Sequence, residues 1–459
     1  MIEQTPIQDG EAREADLCIV GCGAAGLALA SRFIKSGRSV IMIESGGATP
    51  VPASDARYAF ISERQEVALH SRMHGFGGTT ARWAGRWQWL DPIDFEQRAW
   101  VPNSGWPITR DELIPYYEQA DAFVGLSSVS TLPVSTLFPH DKALEAAGMR
   151  FEHETRTHWG KRLRTQFDAS TDIAIHLGAH AARLEAQSGR IVALHAYQGD
   201  AAFEVRAKTF VVAAGGIENA RLLLLSGLGG DAAGRYYMDH PKAPAGVIEA
   251  FSNVPLGDSA FFHRRSGPRT VYRIAETIQR GESLLNSHLV LEPLTPTGRL
   301  ARLYNRIVPP EDSPVIAVRN YLEQPPIPGN RVRLSEELDP FGLPRASVSW
   351  DIDDMTRETA NALHRHLRSA VESTGIGMLE SPLLDGTPIA WGDASHHLGT
   401  TRMGTHEETS VVDKNCRVHT VDNLYVAGSS VFPTGGSAPP TATAVALAFR
   451  LAEHIRSTL

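Results

Sequence analysis

Two stretches of the chain share one rhythm: a short apolar run, a break of small residues, then apolar positions recurring at helical spacing. Asp16 to Val20 (DLCIV) reads as a buried strand and Gly21-Cys22-Gly23-Ala24-Ala25-Gly26 as a tight turn. LALASRFIKSGRSV then reads as a helix, and IMIE as a second strand ending at Glu44. Thr209 to Ser226 (TFVVAAGGIENARLLLLS) repeats the order of strand, small-residue turn and helix. Between residues 241 and 390 the period changes. The β-rich runs APAGVIEAF, SHLVLEPL, PVIAVRNYLE, RVRLSEE and ASVSWDI are joined by one long amphipathic pattern from Asp354 to Thr374. Strands and then one helix, without alternation of the two, predict an α+β unit.

Composition narrows the function class. The 459 residues hold 44 Lys+Arg against 52 Asp+Glu, a net charge of −8, which excludes the basic face a nucleic-acid binder needs. With 42% hydrophobic and 21% charged residues, the chain can bury the cores of two or three domains. The cysteines Cys18, Cys22 and Cys416 form no Cys-x-x-Cys pair, so no disulfide framework, zinc ribbon or attached haem is predicted, and a reducing, cytoplasmic setting is expected. Residues 1–15 are acidic and lack both a basic region and an apolar core, so they read as a disordered lead-in rather than an export signal. No apolar stretch approaches the ~18 residues of a membrane span. Histidine spacing gives no metal site: His176 and His180 fall in one strand-like run, and His364 and His366 point to different faces of a helix.

The glycine turn carries chemistry. Gly21 permits the turn, Gly23 lets backbone approach a pyrophosphate at a helix N-terminus, and Gly26 lets helix and strand pack closely. Glu44 stands where an acidic side chain accepts hydrogen bonds from a ribose diol. This motif does not separate FAD from NAD. A second glycine-rich loop, Gly75-Phe76-Gly77-Gly78-Thr79-Thr80-Ala81-Arg82-Trp83-Ala84-Gly85, sets backbone donors beside an aromatic ring and favours a flavin.

Near the C-terminus the order His396-His397-Leu398-Gly399-Thr400-Thr401-Arg402-Met403-Gly404, Val411-Val412-Asp413, Asn423 to Gly428, Pro433-Thr434 and Pro440-Thr441 resembles the glucose-methanol-choline (GMC) flavoprotein oxidoreductases. Gly77-Gly78, Gly105-Trp106-Pro107, Pro115-Tyr116-Tyr117, Ala213 to Leu224, Met238-Asp239-His240-Pro241 and Gln324 to Trp350 extend the resemblance over most of the chain. It implies an α/β FAD-binding domain, Rossmann-like with its GxGxxG, built from residues 16–125, 169–240 and 391–459. It also implies an α+β substrate-binding domain with an antiparallel sheet from 126–168 and 241–390.

Carried onto this sequence, the resemblance places FAD against Gly21, Gly23, Ala25, Gly26 and Glu44. Further contacts fall on Gly78, Thr79, Arg82, Trp83, Ala84 and Gly85, and then on Ala181, Ala214, Gly428, Ser429 and Thr441. His396 takes the position of the base that removes a hydroxyl proton while hydride passes to the flavin N5. The family's second His or Asn falls on Pro439, which has no side-chain donor or acceptor; Ser437 and His397 are the nearby candidates for its role. Arg82 stands where relatives with covalently bonded FAD carry a His, so a non-covalent cofactor is expected. Arg82 is either a salt-bridged loop residue or a cation near the flavin. Trp83, Trp87 and Trp89 serve either to stack on a carbohydrate or to pack the core. The run Arg156 to Arg164 is either an anion site or a solvated face. His240 is expected to be structural. The reading is an FAD-dependent oxidoreductase acting on a CH-OH group of a sugar, glycoside or other small polar alcohol. The alternatives are a non-redox flavin-containing lyase on the same scaffold and a flavoprotein whose site has decayed; the electron acceptor and the substrate are not encoded locally.

Overall fold

The structure is a computed structural model describing residues 2–3, 7–52, 59–126, 134, 136–151, 158–256, 267–294 and 312–459. Its first layer is an eight-stranded sheet whose parallel centre runs Ile173–Leu177, Val40–Glu44, Glu11–Val20 and Ala201–Val212. Leu424–Val426 pairs in parallel with the end of Ala201–Val212, and the meander Ala179–Gln187, Arg190–Gln198, Ala201–Val212 extends the sheet antiparallel. The apolar ends of the central strands are fully buried, against the helices Ala24–Ser31 and Thr441–Thr458 among others. The helix can lie this close because a Cβ on Gly26 would sit 2.0 Å from the Gly21 carbonyl oxygen.

The second layer is a seven-stranded antiparallel sheet, in the order Gly377–Glu380, Lys242–Pro255, Asp312–Leu322, Ser287–Pro293, Gly267–Ile274, Leu144–Phe151, Arg86–Trp87. The helix Asp354–Thr374 buries Ala360, Leu363, Leu367 and Val371 with this sheet's apolar residues. Arg331–Leu338 and Pro344–Trp350, both expected from their alternation, leave that sheet and join Ile61–Arg64 in a separate three-stranded one. The architecture is thus the expected α/β domain with a GxGxxG turn plus an α+β domain with an antiparallel sheet.

Three expectations change. Residues 11–15 are not a lead-in: Glu11–Val20 is one continuous strand, with Glu11 to Ala15 paired to Phe203 to Ala207 through the main chain. The segment 126–168 is divided: Phe138 and Leu144 pack in the core under the antiparallel sheet, whereas Trp159, Leu163 and Phe167 belong to the core of the first layer. His176 and His180 lie on separate strands, because Gly178 turns the chain with a φ of +69°. No described helix is long and apolar enough to cross a membrane.

Candidate active site

A cavity of about 480 Å³ lies where the two layers meet. Three helices begin at its wall: Ala24–Ser31 after Gly23, Gly216–Leu225 after Gly215, and Thr441–Thr458 after Pro440. None has a side-chain cap, so their first-turn N–H groups and positive dipole ends are available to an anionic ligand. The backbone is bare where such a ligand would approach: a Cβ on Gly23 or Gly215 would meet no atom within 4 Å. Gly21 is tight on the other side, since with φ +106° its Cβ would lie 2.5 Å from the Ala213 carbonyl oxygen.

Every predicted cofactor position lines this cavity except Gly26, which packs on Gly21, and Gly85, which turns the second glycine loop with φ +70°. Glu44 is buried, and its carboxylate is already engaged. Oε2 accepts from Cys22 N at 2.8 Å, and Oε1 accepts from Gly46 N and Gly75 N, each at 2.9 Å. Burial raises its proton affinity, against those backbone donors. The Ser45 hydroxyl also approaches Oε1, at 3.4 Å, so it is Oε2, with a single donor, that keeps a lone pair for a ribose hydroxyl. Uncapped helix ends, bare glycines and this carboxylate together fit a dinucleotide such as FAD.

Arg82 is exposed at the cavity and pairs with no carboxylate among the described residues. Trp83 reaches the cavity, but Trp87 and Trp89 do not; both indole N–H groups donate to Asp121 Oδ1, at 2.7 and 3.1 Å, in the core. Arg156 lies outside the described residues. Among the described residues, no group of three or more His, Cys, Asp or Glu could hold a metal.

His396 stands in the wall with its partners fixed by two segments that bridge each other, Met238 N donating to Leu398 O and Leu398 N to Met238 O. Asp239 ties the loop together: Oδ2 accepts from His396 N at 3.0 Å, and Oδ1 from His240 N at 2.7 Å and Ala394 N at 2.8 Å. Burial and the neighbouring Asp393 raise Asp239 to about 8, against those three N–H groups. Ser395, just before His396, is held at φ +64°, a region costly for a residue with a side chain. Asp393 Oδ1 secures it by accepting from Ser395 N and Oγ, at 2.8 and 3.0 Å.

The decisive contact is between two imidazoles. His240 Nε2 lies 2.9 Å from the Gly436 carbonyl oxygen, which can only accept, so Nε2 carries a proton. Burial pushes His240 down to about 4, so the ring is neutral and its Nδ1 is an acceptor. His396 Nδ1, 2.7 Å away, must then donate to it. The proton of His396 is thereby fixed on Nδ1, and the lone pair is left on Nε2, which has no protein partner among the described residues. Burial above all, with the Arg86 cation adding to it, holds His396 well below the usual histidine range, so it is neutral. Gly436 has to be glycine here: its φ is +56°, and a Cβ would lie 2.3 Å from Asp94 Oδ2.

Pro439 lines the cavity, and its side chain has no polar atom to offer. His397, a candidate for the missing partner, instead bonds Ser71 Oγ through Nε2 at 3.2 Å and is pushed to about 4 by burial and Arg72. Ser437 donates to Asn286 Oδ1 at 3.2 Å, away from the cavity. Sequence reasoning set His240 aside as a turn residue, although the quoted Met238-Asp239-His240-Pro241 motif contained the signal. It missed Lys242, Tyr321 and Arg86, which also line the wall.

Two family models, both described as GMC oxidoreductase, match residues 147–242 and 326–448. The fructose dehydrogenase large subunit of Gluconobacter japonicus is 25% identical, with 98% of this chain and 99% of the relative covered. The 6'''-hydroxyparomomycin C oxidase of Streptomyces lividus is 27% identical, covering 97% and 92%. Among solved structures, pyridoxine 4-oxidase from Mesorbium loti superposes with a TM-score of 0.61 at 19% identity, over 96% of this chain and 99% of that one, a likeness of fold.

Proposed function

The chain belongs to the GMC oxidoreductase family, and from that premise we propose that it oxidises a CH-OH group of a sugar-like or other small polar alcohol, with His396 as base and FAD bound non-covalently. The observation that carries this is the imidazole pair, because it presents an unprotonated Nε2 to a cavity whose opposite requirements, bare glycines and helix ends, suit a dinucleotide. FAD, when bound, supplies the two-electron acceptor for the hydrogen on the carbinol carbon. Gly21, Gly23 and the start of Ala24–Ser31 would hold its diphosphate and Glu44 its ribose, with Ala214 and Thr441 at the other two helix ends. Arg82 in place of histidine supports non-covalent binding.

The residues of the chain divide the remaining work. His396 Nε2 accepts the hydroxyl proton. His240 keeps the other proton on Nδ1, and the Asp239 carboxyl fixes the backbone of both histidines. Pro439 walls the cavity without competing for the substrate oxygen. The relatives named for fructose and for hydroxyparomomycin C support a polar, sugar-like substrate.

The test is anaerobic mixing of the purified yellow protein with sugars, glycosides and simple alcohols while flavin absorbance is followed. Bleaching by any member is the expected result and identifies the substrate class. A protein that none of them reduces argues against the redox reading and for the lyase-like one.

A further inference from the structure

Behind the two imidazoles lies a polar cluster that stays out of the cavity: Asp94, Arg98, Asn286, Glu323 and Ser437 are all buried, and none of them lines it. Its hub is Asn286, the residue before the strand Ser287–Pro293. Every hydrogen-bonding group of Asn286 is in use. Its main-chain N donates to Glu323 Oε2 at 2.8 Å, and its carbonyl oxygen accepts from Glu323 N at 2.9 Å. In the side chain, Nδ2 donates to Asp94 Oδ1 at 2.9 Å and to Asp91 Oδ2 at 3.1 Å. Oδ1 accepts from Ser287 N at 2.8 Å and from Ser437 Oγ at 3.2 Å. The amide cannot be turned over, because the Ser287 N–H can only donate and so requires the oxygen on its side. Arg98 closes Glu323 from its other side, Nη1 donating to Oε2 at 2.8 Å and Nη2 to Oε1 at 2.5 Å.

The cluster reaches the imidazoles through residues 434 to 437. Thr434 Oγ1 donates to Asp94 O at 2.6 Å and accepts from Trp106 Nε1 at 2.9 Å. The Asp94 carboxyl stands hard against Gly436, where a Cβ would lie 2.3 Å from Oδ2. Ser437 is tied to Asn286. Between these holds lies the Gly436 carbonyl oxygen, 2.9 Å from His240 Nε2. A buried cluster of charged and polar groups often gains no stability over apolar side chains of the same shape. What it supplies here is direction, since each bond fixes an atom that apolar packing would leave free to slide.

We propose that Asn286 is a positioning residue for the oxidation: through Ser437 and Asp94 it sets the Gly436 carbonyl where that oxygen keeps the His240 proton on Nε2, and so keeps the His396 proton on Nδ1. The proposal rests on the reading of His396 as base. The consequence of losing the hold follows from the short contact between the rings. With the Gly436 carbonyl displaced, His240 is free to carry its proton on Nδ1. Two N–H groups cannot face each other across 2.7 Å, so His396 then holds its own proton on Nε2 and has no lone pair for a hydroxyl. Asn286 begins a strand of the antiparallel sheet, so this path joins the sheet to the base without passing through the cavity.

The experiment uses the FAD-bound protein and the variants Ser437→Ala, Asn286→Leu and the two combined. Nitrogen-15 NMR of labelled histidine reads which ring nitrogen bears the proton, the two signals being assigned by their loss in His240→Asn and His396→Ala. Anaerobic mixing with an alcohol that reduces the flavin reads the limiting rate and the half-saturating concentration. Wild-type protein is expected to show His240 protonated on Nε2 and His396 on Nδ1. Ser437→Ala should reverse that pattern in part of the molecules and lower the limiting rate about 2- to 12-fold, the range one uncharged hydrogen bond spans. The half-saturating concentration should move less than the rate, as for a group that acts on the chemical step. Asn286→Leu should lower the rate at least as far, and the double variant no further than Asn286→Leu, because both substitutions cut one path. Wild-type tautomers in Ser437→Ala and Asn286→Leu overturn the proposal even if rates fall, since a packing role slows the reaction with the protons in place. Effects that simply add in the double variant overturn it too. If Asn286→Leu does not fold, Ser437→Ala decides alone. A wild-type His240 with no proton on Nε2 overturns both the proposal and the tautomer assignment beneath it. If no alcohol reduces the flavin, the oxidoreductase reading fails, and the NMR arm by itself decides whether Asn286 sets the two protons.

Discussion

Replacing His240 tests the proposal that His396 serves as base because of the proton its neighbour assigns to it. His240→Ala removes the acceptor 2.7 Å from His396 Nδ1 and leaves a buried N–H without a partner. An unmade hydrogen bond of this kind costs about 1–3 kcal/mol. That amount disfavours the Nδ1–H tautomer, the form whose Nε2 can take a proton, and at 1.4 kcal/mol per decade it lowers the rate constant for reduction about 5- to 150-fold. His240→Asn is the control, because its amide oxygen stands near the position of the lost Nδ1 and can accept from His396 while giving up the bond to Gly436. It is expected within about 5-fold of wild type, on the view that the acceptor matters more than the Gly436 contact. Stopped-flow reduction under anaerobic conditions, over pH 5 to 9, gives both the limiting rate and the acid limb. His396 donates to the neutral His240 Nδ1 in its charged form as well, and that bond favours the charged form, so the acid limb of His240→Ala should move to lower pH. Wild-type rates in His240→Ala, or equal impairment in the two variants with no movement of the acid limb, would refute the tautomer argument and leave His240 a packing residue.

Other consequences are as direct. His396→Ala should lower kcat by about 10²–10⁴ while the protein stays yellow, the usual loss for a general base, and near-normal turnover would remove it from that role. Pro439→Asn adds a polar side chain to the cavity wall; if its absence limits simple alcohols, their reduction rates should rise, and unchanged rates mean that positioning comes from other groups. Thermal stability should fall with acidification. His240 and His397 are lowered to about 4 from 6.5, so the unfolded chain binds protons that the folded chain refuses, and stability is lost as pH falls from 6.5 toward 4. Each group accounts for on the order of 3 kcal/mol at the low end, so calorimetric Tm values should drop steeply there and His240→Asn should soften the slope. An unaltered slope would contradict the assignment.

Where local physics decides the structure, the sequence was readable. The helix Asp354–Thr374 was bounded correctly because its ends are written in single residues. Asp353 caps the first turn by accepting from Thr356 N, and Gly375 closes the last with φ +65°. The strand pairing of Glu11 to Ala15 was not readable, since EAREA is charged and its order comes from main-chain bonds to residues about 190 positions away rather than from buried side chains. Long range also hid the working part of the site. The glycine turn, Glu44 and His396 lie in recognisable motifs, but the His240 to His396 contact spans 156 residues and the Lys242 to Tyr321 pairing 79, and no local pattern encodes either. Pro439 could be read as a gap; what stands around that gap could not.

Glu44 has a further meaning for assembly. By accepting from Cys22, Gly46 and Gly75 it fastens together the ends of three segments, alongside the main-chain bonds from Gly77 N to Cys22 O and from Phe76 N to Gly47 O. The socket is therefore shaped in part by the polypeptide's own hydrogen bonds. With FAD held non-covalently, as proposed, flavins of altered redox potential should exchange into it and tune its driving force without changing an amino acid.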